Sequence, residues 1–166
     1  MKYVPHKAIY IWTAATIACM LAIFLFSAQP AEESTEISES MTRAIVETIW
    51  NWFTPAGQEV PEHLLGVTEV ILRKTAHLFI FFILGLCTAN AVKYLTENRR
   101  RVFAISILWC SAYGALDELH QYFVPGRACM WQDWLIDTTG AALGITAAVL
   151  VAARLSSRLR KSGKSQ

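Results

Sequence analysis

Carboxylates, a histidine, glutamine and an arginine crowd into ALDELHQYFVPGRACMWQDWLID, which carries Asp117, Glu118, His120, Gln121, Arg127, Asp133 and Asp137. A second group, Arg73, Lys74 and His77, stands in RKTAHLFIFFILG. Arginine grips phosphate or carboxylate by a bidentate fork and lysine as a point charge, so Arg73, Lys74 and Arg127 are of the type that recognises phosphate. Asp117 and Gln121 can take hydroxyls and amides of the same ligand. The acids, with His77 or His120, are also of the type that holds Mg, Mn or Ca and activates water for hydrolysis. That alternative lacks a compact motif such as HExxH, and no metal or other cofactor is expected. Asp117, Glu118 and His77 are the candidate catalytic groups should a reaction occur. Ser27 and Thr75 lie in no GxSxG context, so nucleophilic catalysis has weaker support.

Such a cluster is out of place in its surroundings. The chain has 166 residues, of which 54% are hydrophobic and six are tryptophan, more apolar surface than a small soluble domain can cover. Apolar windows predict four transmembrane helices at about 8–28, 74–93, 101–121 and 134–153, long enough for a hydrocarbon core of about 30 Å, the third only by running on into the polar stretch. The expected fold is therefore all-α, a four-transmembrane-helix bundle forming a single domain over 1–166. The first window is too long and too poorly followed by a cleavage site to read as a signal peptide.

Charge assigns a direction to each span. Lys2, Lys7, Lys93, Arg99, Arg100, Arg101, Arg154, Arg158, Arg160, Lys161 and Lys164 fall in the N-terminus, the second connection and the tail at 154–166, with Glu97 as the only acid among them. The remaining acids, Glu32 to Glu69 and the clustered four, fall in the other two connections. The positive-inside rule then places both termini in the cytoplasm. Cys19, Cys87 and Cys110 lie within spans and Cys129 alone lies outside them, which leaves no disulfide framework.

Counting from the basic ends, at 1.5 Å per helical residue, brings Ser27, Lys74, His77, Asp117, Asp133 and Asp137 to one depth near the outer boundary. Asp117 with Gln121, Asp133 with Asp137, and Arg73 with His77 are spaced i,i+4 and share helix faces. Gly140 and Gly144 continue the Asp137 face as a small-xxx-small pair suited to close helix approach. VPGR supplies a turn in which Gly126 can take positive φ and present Arg127 over the cluster, where a loop arginine should be dispensable for folding. In the first outer connection, Met41, Ala44, Ile45, Thr48, Ile49, Trp52 and Phe53 form an apolar stripe, predicting an amphipathic helix over 37–53. It is expected to lie at the membrane interface with Trp50 and Trp52 at headgroup depth, or to pack over the bundle as a lid. Pro55, Gly57 and Pro61 end it.

FSAQ at the end of the first span, RKTAHLFIFFILG, DELHQYFVPGR and DWLIDTTGAALG together resemble the VanZ-like family of small bacterial membrane proteins over nearly the whole chain. Lys74, His77, Asp117, Glu118, Gln121, Arg127, Asp133, Asp137 and Gly140 match positions marked in that family, while ACMWQ before Asp133 is bulkier than its pattern. The resemblance implies a bacterial cell-membrane protein associated with resistance to teicoplanin-type glycopeptides, near peptidoglycan precursors and without an established reaction.

Charge inside a bilayer is costly and is retained where it is paired or serves a ligand or pathway. The expected partner is a membrane lipid or lipid-linked cell-wall precursor bound by Arg73, Lys74, His77, Asp117, Glu118, Gln121, Arg127, Asp133 and Asp137; no nucleic acid is expected. Two alternatives stand beside it: a membrane-embedded metal-dependent hydrolase, and a structural protein whose charges neutralise one another to pin helices. Transport has less support, because spans such as IFFILGLCTANAV carry little polarity toward their basic end.

Overall fold

Long runs without proline, broken only where the connections need it, give five α-helices in a computed structural model that describes residues 6–55 and 58–162. They are α1 (His6–Ser27), α2 (Ala31–Phe53), α3 (Glu62–Val92), α4 (Arg99–Gln121) and α5 (Trp131–Ser162), and the described residues include no strand. Four of the five, α1, α3, α4 and α5, are long and apolar enough to cross a membrane. Their outward side chains, among them Ile11, Leu25, Leu108 and Leu150, are large, apolar and exposed, the surface that hydrocarbon requires of a multi-pass protein.

Central in the bundle, α3 packs against α1, α2, α4 and α5. Its approach to α5 is close enough to need glycine. A Cβ at Gly140 would strike the Leu78 carbonyl, one at Gly144 the Phe82 carbonyl, and one at Gly85 the Ala141 carbonyl. The small-residue face predicted for α5 is therefore met by a glycine on α3. Around this seam, Ile23, Phe81, Leu84, Cys110 and Ala141 form one core cluster, and Ala89, Val92, Val102 and Ile145 form another toward the basic end.

Three boundaries differ from the sequence expectation. Helix α3 begins at Glu62 rather than near 74, because α2 folds back along its first turns. Arg43 pairs with Glu62 at 3.7 Å, and Arg73 Nη2 donates to Thr35 Oγ1 at 3.3 Å, joining the two ends of that hairpin. Helix α2 begins at Ala31 rather than 37, directly after Pro30, since the early turns are polar and escape a search for an apolar stripe. Helix α5 continues through the basic segment to Ser162, the first Gly or Pro after Gly144 being Gly163. The end of the tail, 163–166, and the predicted break at Gly57 lie outside the described residues.

Helix α2 combines both expected arrangements. Thr42 and Val46 are buried and Trp50 is half-buried against the bundle, whereas Met41, Ile45, Ile49, Trp52 and Phe53 remain exposed as an apolar stripe. One edge packs and the next is left for an interface, so this is the interfacial helix of the fold.

Candidate functional site

The predicted polar residues meet at one end of the bundle. Ser27 is the last residue of α1, Lys74 and His77 stand midway along α3, Asp117 and Gln121 close α4, and Asp133 and Asp137 open α5. Contacts between helices confirm their common level. Ser27 Oγ donates to Asp117 Oδ1 at 2.6 Å, Lys74 Nζ pairs with Asp133, and His77 Nδ1 lies 3.5 Å from Asp137 Oδ1. The i,i+4 pair on α4 is closed by Gln121 Nε2 donating to Asp117 Oδ2 at 3.0 Å.

Some of these groups are buried behind the site rather than open to it. Asp117 is held by Ser27 and Gln121. Glu118 Oε2 accepts the Met130 N–H at 2.8 Å, which places a carboxylate against the head of α5, where free N–H groups favour negative charge. Asp137 has no exposed surface, and neither of its oxygens accepts a hydrogen bond; its contact with His77, at 3.5 Å, is an ion-pair approach. The His120 ring meets that of Phe24 with centroids 4.7 Å apart and the planes tilted by 30°, and His120 lines neither cavity beside the cluster.

In front of them is a cavity of about 430 Å³ whose wall includes Arg73, Lys74, His77, Gln121, Arg127 and Asp133. Three permanent cations thus face one carboxylate. Lys74 and Asp133 satisfy each other, and Arg73 Nη2 is held by Glu69 Oε1 at 2.7 Å. Arg127 has no acidic ion-pair partner among the described residues. Burial disfavours its cation, as does the nearby Arg73 charge, so the pKa of Arg127 is drawn below the ordinary guanidinium value although the group stays protonated. An anion arriving here would relieve that cost.

Arg127 does more than face the cavity. Its Nε donates to the Gln29 carbonyl at 3.0 Å and its Nη2 to the Phe26 carbonyl at 3.2 Å, a cation at the C-terminus of α1. The VPGR turn sets this up: the Arg127 N–H bonds the Val124 carbonyl at 3.1 Å across Pro125 and Gly126, and Gly126 takes φ 75°. The Ala31 N–H in turn bonds the Pro125 carbonyl at 3.2 Å. Arg127 is therefore also a clasp on the α1–α2 corner, a contact that the sequence reading of it as a ligand-facing loop residue did not include.

A second cavity, about 460 Å³, opens between α1, α2 and α3. It shares Arg73, His77 and Arg127 with the first, and its other walls include Ile23, Phe26, Ile45, Leu72, Ile80 and Thr42. Sequence reasoning missed it, because the apolar stripe of α2 points to a surface and not to a hollow beneath one edge. A larger hollow of about 570 Å³ lies at the basic end, beside Lys93 and Arg99, and contains none of the clustered residues.

Among the described residues, no three His, Cys, Asp or Glu side chains gather where a metal ion could be held. The carboxylates are instead distributed among Ser27, Gln121, Met130, Lys74 and His77. Neither a curated protein nor a solved structure matches the chain. A family model does: it matches residues 12–152, the span that contains all four membrane helices' cores and every residue of the cluster, and the chain belongs to the VanZ/LLP1 family.

Proposed function

We propose that the polar cavity binds the phosphate of an anionic membrane lipid or lipid-linked cell-envelope precursor, with the cluster at the outer face of the membrane and both termini in the cytoplasm. The observation that carries this reading is the cation left over on a wall lined by Arg73, Lys74 and Arg127: Glu69 pairs with Arg73 and Asp133 with Lys74, while Arg127 has no acidic partner among the described residues. Arg127 contributes a guanidinium with donors left over after its carbonyl bonds, suited to a forked grip on phosphate. Lys74 adds a point charge beside Asp133, and Gln121 a neutral amide. His77, with its Nδ1 toward Asp137 and 30% of its side chain exposed, is the group placed to exchange a proton with a ligand if the protein also modifies it.

Orientation is supported by charge, since Lys93, Arg99, Arg100, Arg101 and Arg154 mark the opposite end of the bundle. Depth agrees with ligand type, because lipid phosphates occupy the boundary where α1 and α4 end. The family resemblance makes susceptibility to teicoplanin-type glycopeptides the cellular readout.

The test is mass spectrometry of lipids that copurify with the wild type and with Arg73→Gln/Lys74→Gln. Both changes keep a hydrogen-bonding, though shorter, side chain while removing charge. Enrichment of phosphate-bearing lipids on the wild type and its loss on the double variant are expected. Equal lipid profiles on two folded proteins would reject phosphate recognition and favour charges that serve only to pin helices.

A further inference from the structure

We propose that the apolar cavity beneath α2 receives an ester-linked acyl chain of the same ligand, so that the site selects a phosphate-headed glycerolipid. The inference rests on the phosphate reading of the polar cavity and adds a second, separable contact. Arg73, His77 and Arg127 line both hollows, so a head in one and a chain in the other belong to one continuous site. The chain would meet Ile23, Phe26, Ile45, Leu72 and Ile80. Both volumes fall in the range of small-molecule sites, about 300–1,000 Å³.

Thr42 specifies the linkage. It lines this cavity, is 2% exposed, and its hydroxyl has no hydrogen-bond partner. Threonines inside helices ordinarily donate to the carbonyl four residues back. Thr16, Thr48, Thr88, Thr139 and Thr146 all do so in this chain. Thr42, a buried residue of the cavity wall, keeps its donor unspent where those five do not, and an unmade buried hydrogen bond costs free energy. A carbonyl acceptor just beyond a phosphate head would satisfy it. An acyl ester has that carbonyl; an ether-linked chain or a polyprenyl phosphate lacks it.

The full-length protein in detergent would be titrated with dioleoyl phosphatidate, its dialkyl ether analogue and a polyprenyl phosphate, reading bound lipid by native mass spectrometry. Wild type should prefer the ester by about five- to tenfold. Thr42→Val, which keeps the shape and removes the hydroxyl, should equalise ester and ether. Ala76→Phe adds bulk at an exposed position on the cavity wall and should weaken every long-chain phosphate while leaving the fold intact. If phosphate lipids bind and respond to Arg73→Gln but ignore Thr42→Val and Ala76→Phe, the acyl site is refuted and the phosphate reading survives. If none of the three lipids binds the wild type, both fall.

Discussion

His77 Nδ1 stands 3.5 Å from Asp137 Oδ1, joining a side chain on the cavity wall to one with no exposed surface. Removing one member strands the other in a medium that solvates it poorly. Breaking a buried pair this way costs about 3–5 kcal/mol, whereas neutral replacement of both members is far milder. Asp137→Ala should therefore lower membrane yield and thermal stability in detergent sharply. His77→Gln/Asp137→Asn should be more stable than the sum of its single variants predicts. Simple additivity in that cycle would show that the two side chains do not interact energetically.

Glycines along α3 and α5 separate packing from propensity. Gly144→Ala must push the Phe82 carbonyl away, and Gly140→Leu the Leu78 carbonyl, so both should lose folded yield. Gly66 has open space around the position of its Cβ, within the part of α3 that lies alongside α2. Gly66→Ala should stabilise by roughly 0.5–1 kcal/mol through helix propensity. Thermal unfolding of the variants in one detergent checks the opposite signs.

Arg127→Ala removes two charge-assisted bonds to the end of α1, at Gln29 and Phe26. Hydrogen bonds from charged groups contribute about 1.5–3 kcal/mol each, less where solvent reaches them, so a measurable drop in melting temperature is expected. Arg127→Lys supplies one point of attachment instead of a fork and should recover only part of it. Unchanged melting of Arg127→Ala would make the clasp energetically idle and return the arginine wholly to ligand binding.

Much of this arrangement is legible in sequence, and the reason is spacing. Apolar runs fix the spans, and counting along them from the basic ends brings Ser27, His77, Asp117 and Asp137 to one level, as their contacts confirm. Which group faces whom is not legible. Arg73 has Glu69 four residues behind it, an ion pair that spacing offers, but its second contact, to Thr35 on α2, depends on how the two helices fold together. Asp117 and Asp133 are equally acidic in sequence, yet one is buried with a serine and a glutamine while the other meets Lys74 at the cavity. The early start of α3 depends on pairing with α2, a tertiary effect that hydropathy does not register.

Cys129 offers a test of orientation that needs no added probe. It is exposed in the connection between α4 and α5, whereas Cys87 and Cys110 are buried and Cys19 is half-buried within a span. Maleimide reacts with the thiolate, which forms readily only where water has access. If the cluster faces outward, a membrane-impermeant maleimide added to intact cells should label the wild type, and Cys129→Ser should abolish labelling. In the Cys129→Ser background, Arg99→Cys should react only after permeabilisation, because Arg99 begins α4 at the basic end. The reverse pattern would invert the protein and remove the outer-leaflet ligand with it. Labelling also reports occupancy: Ala128 and Met130, on either side of Cys129, line the polar cavity. Excess phosphate-headed lipid should slow the reaction of wild type in detergent and leave that of Arg73→Gln/Lys74→Gln unchanged, which ties the direction of the site to its ligand in a single measurement.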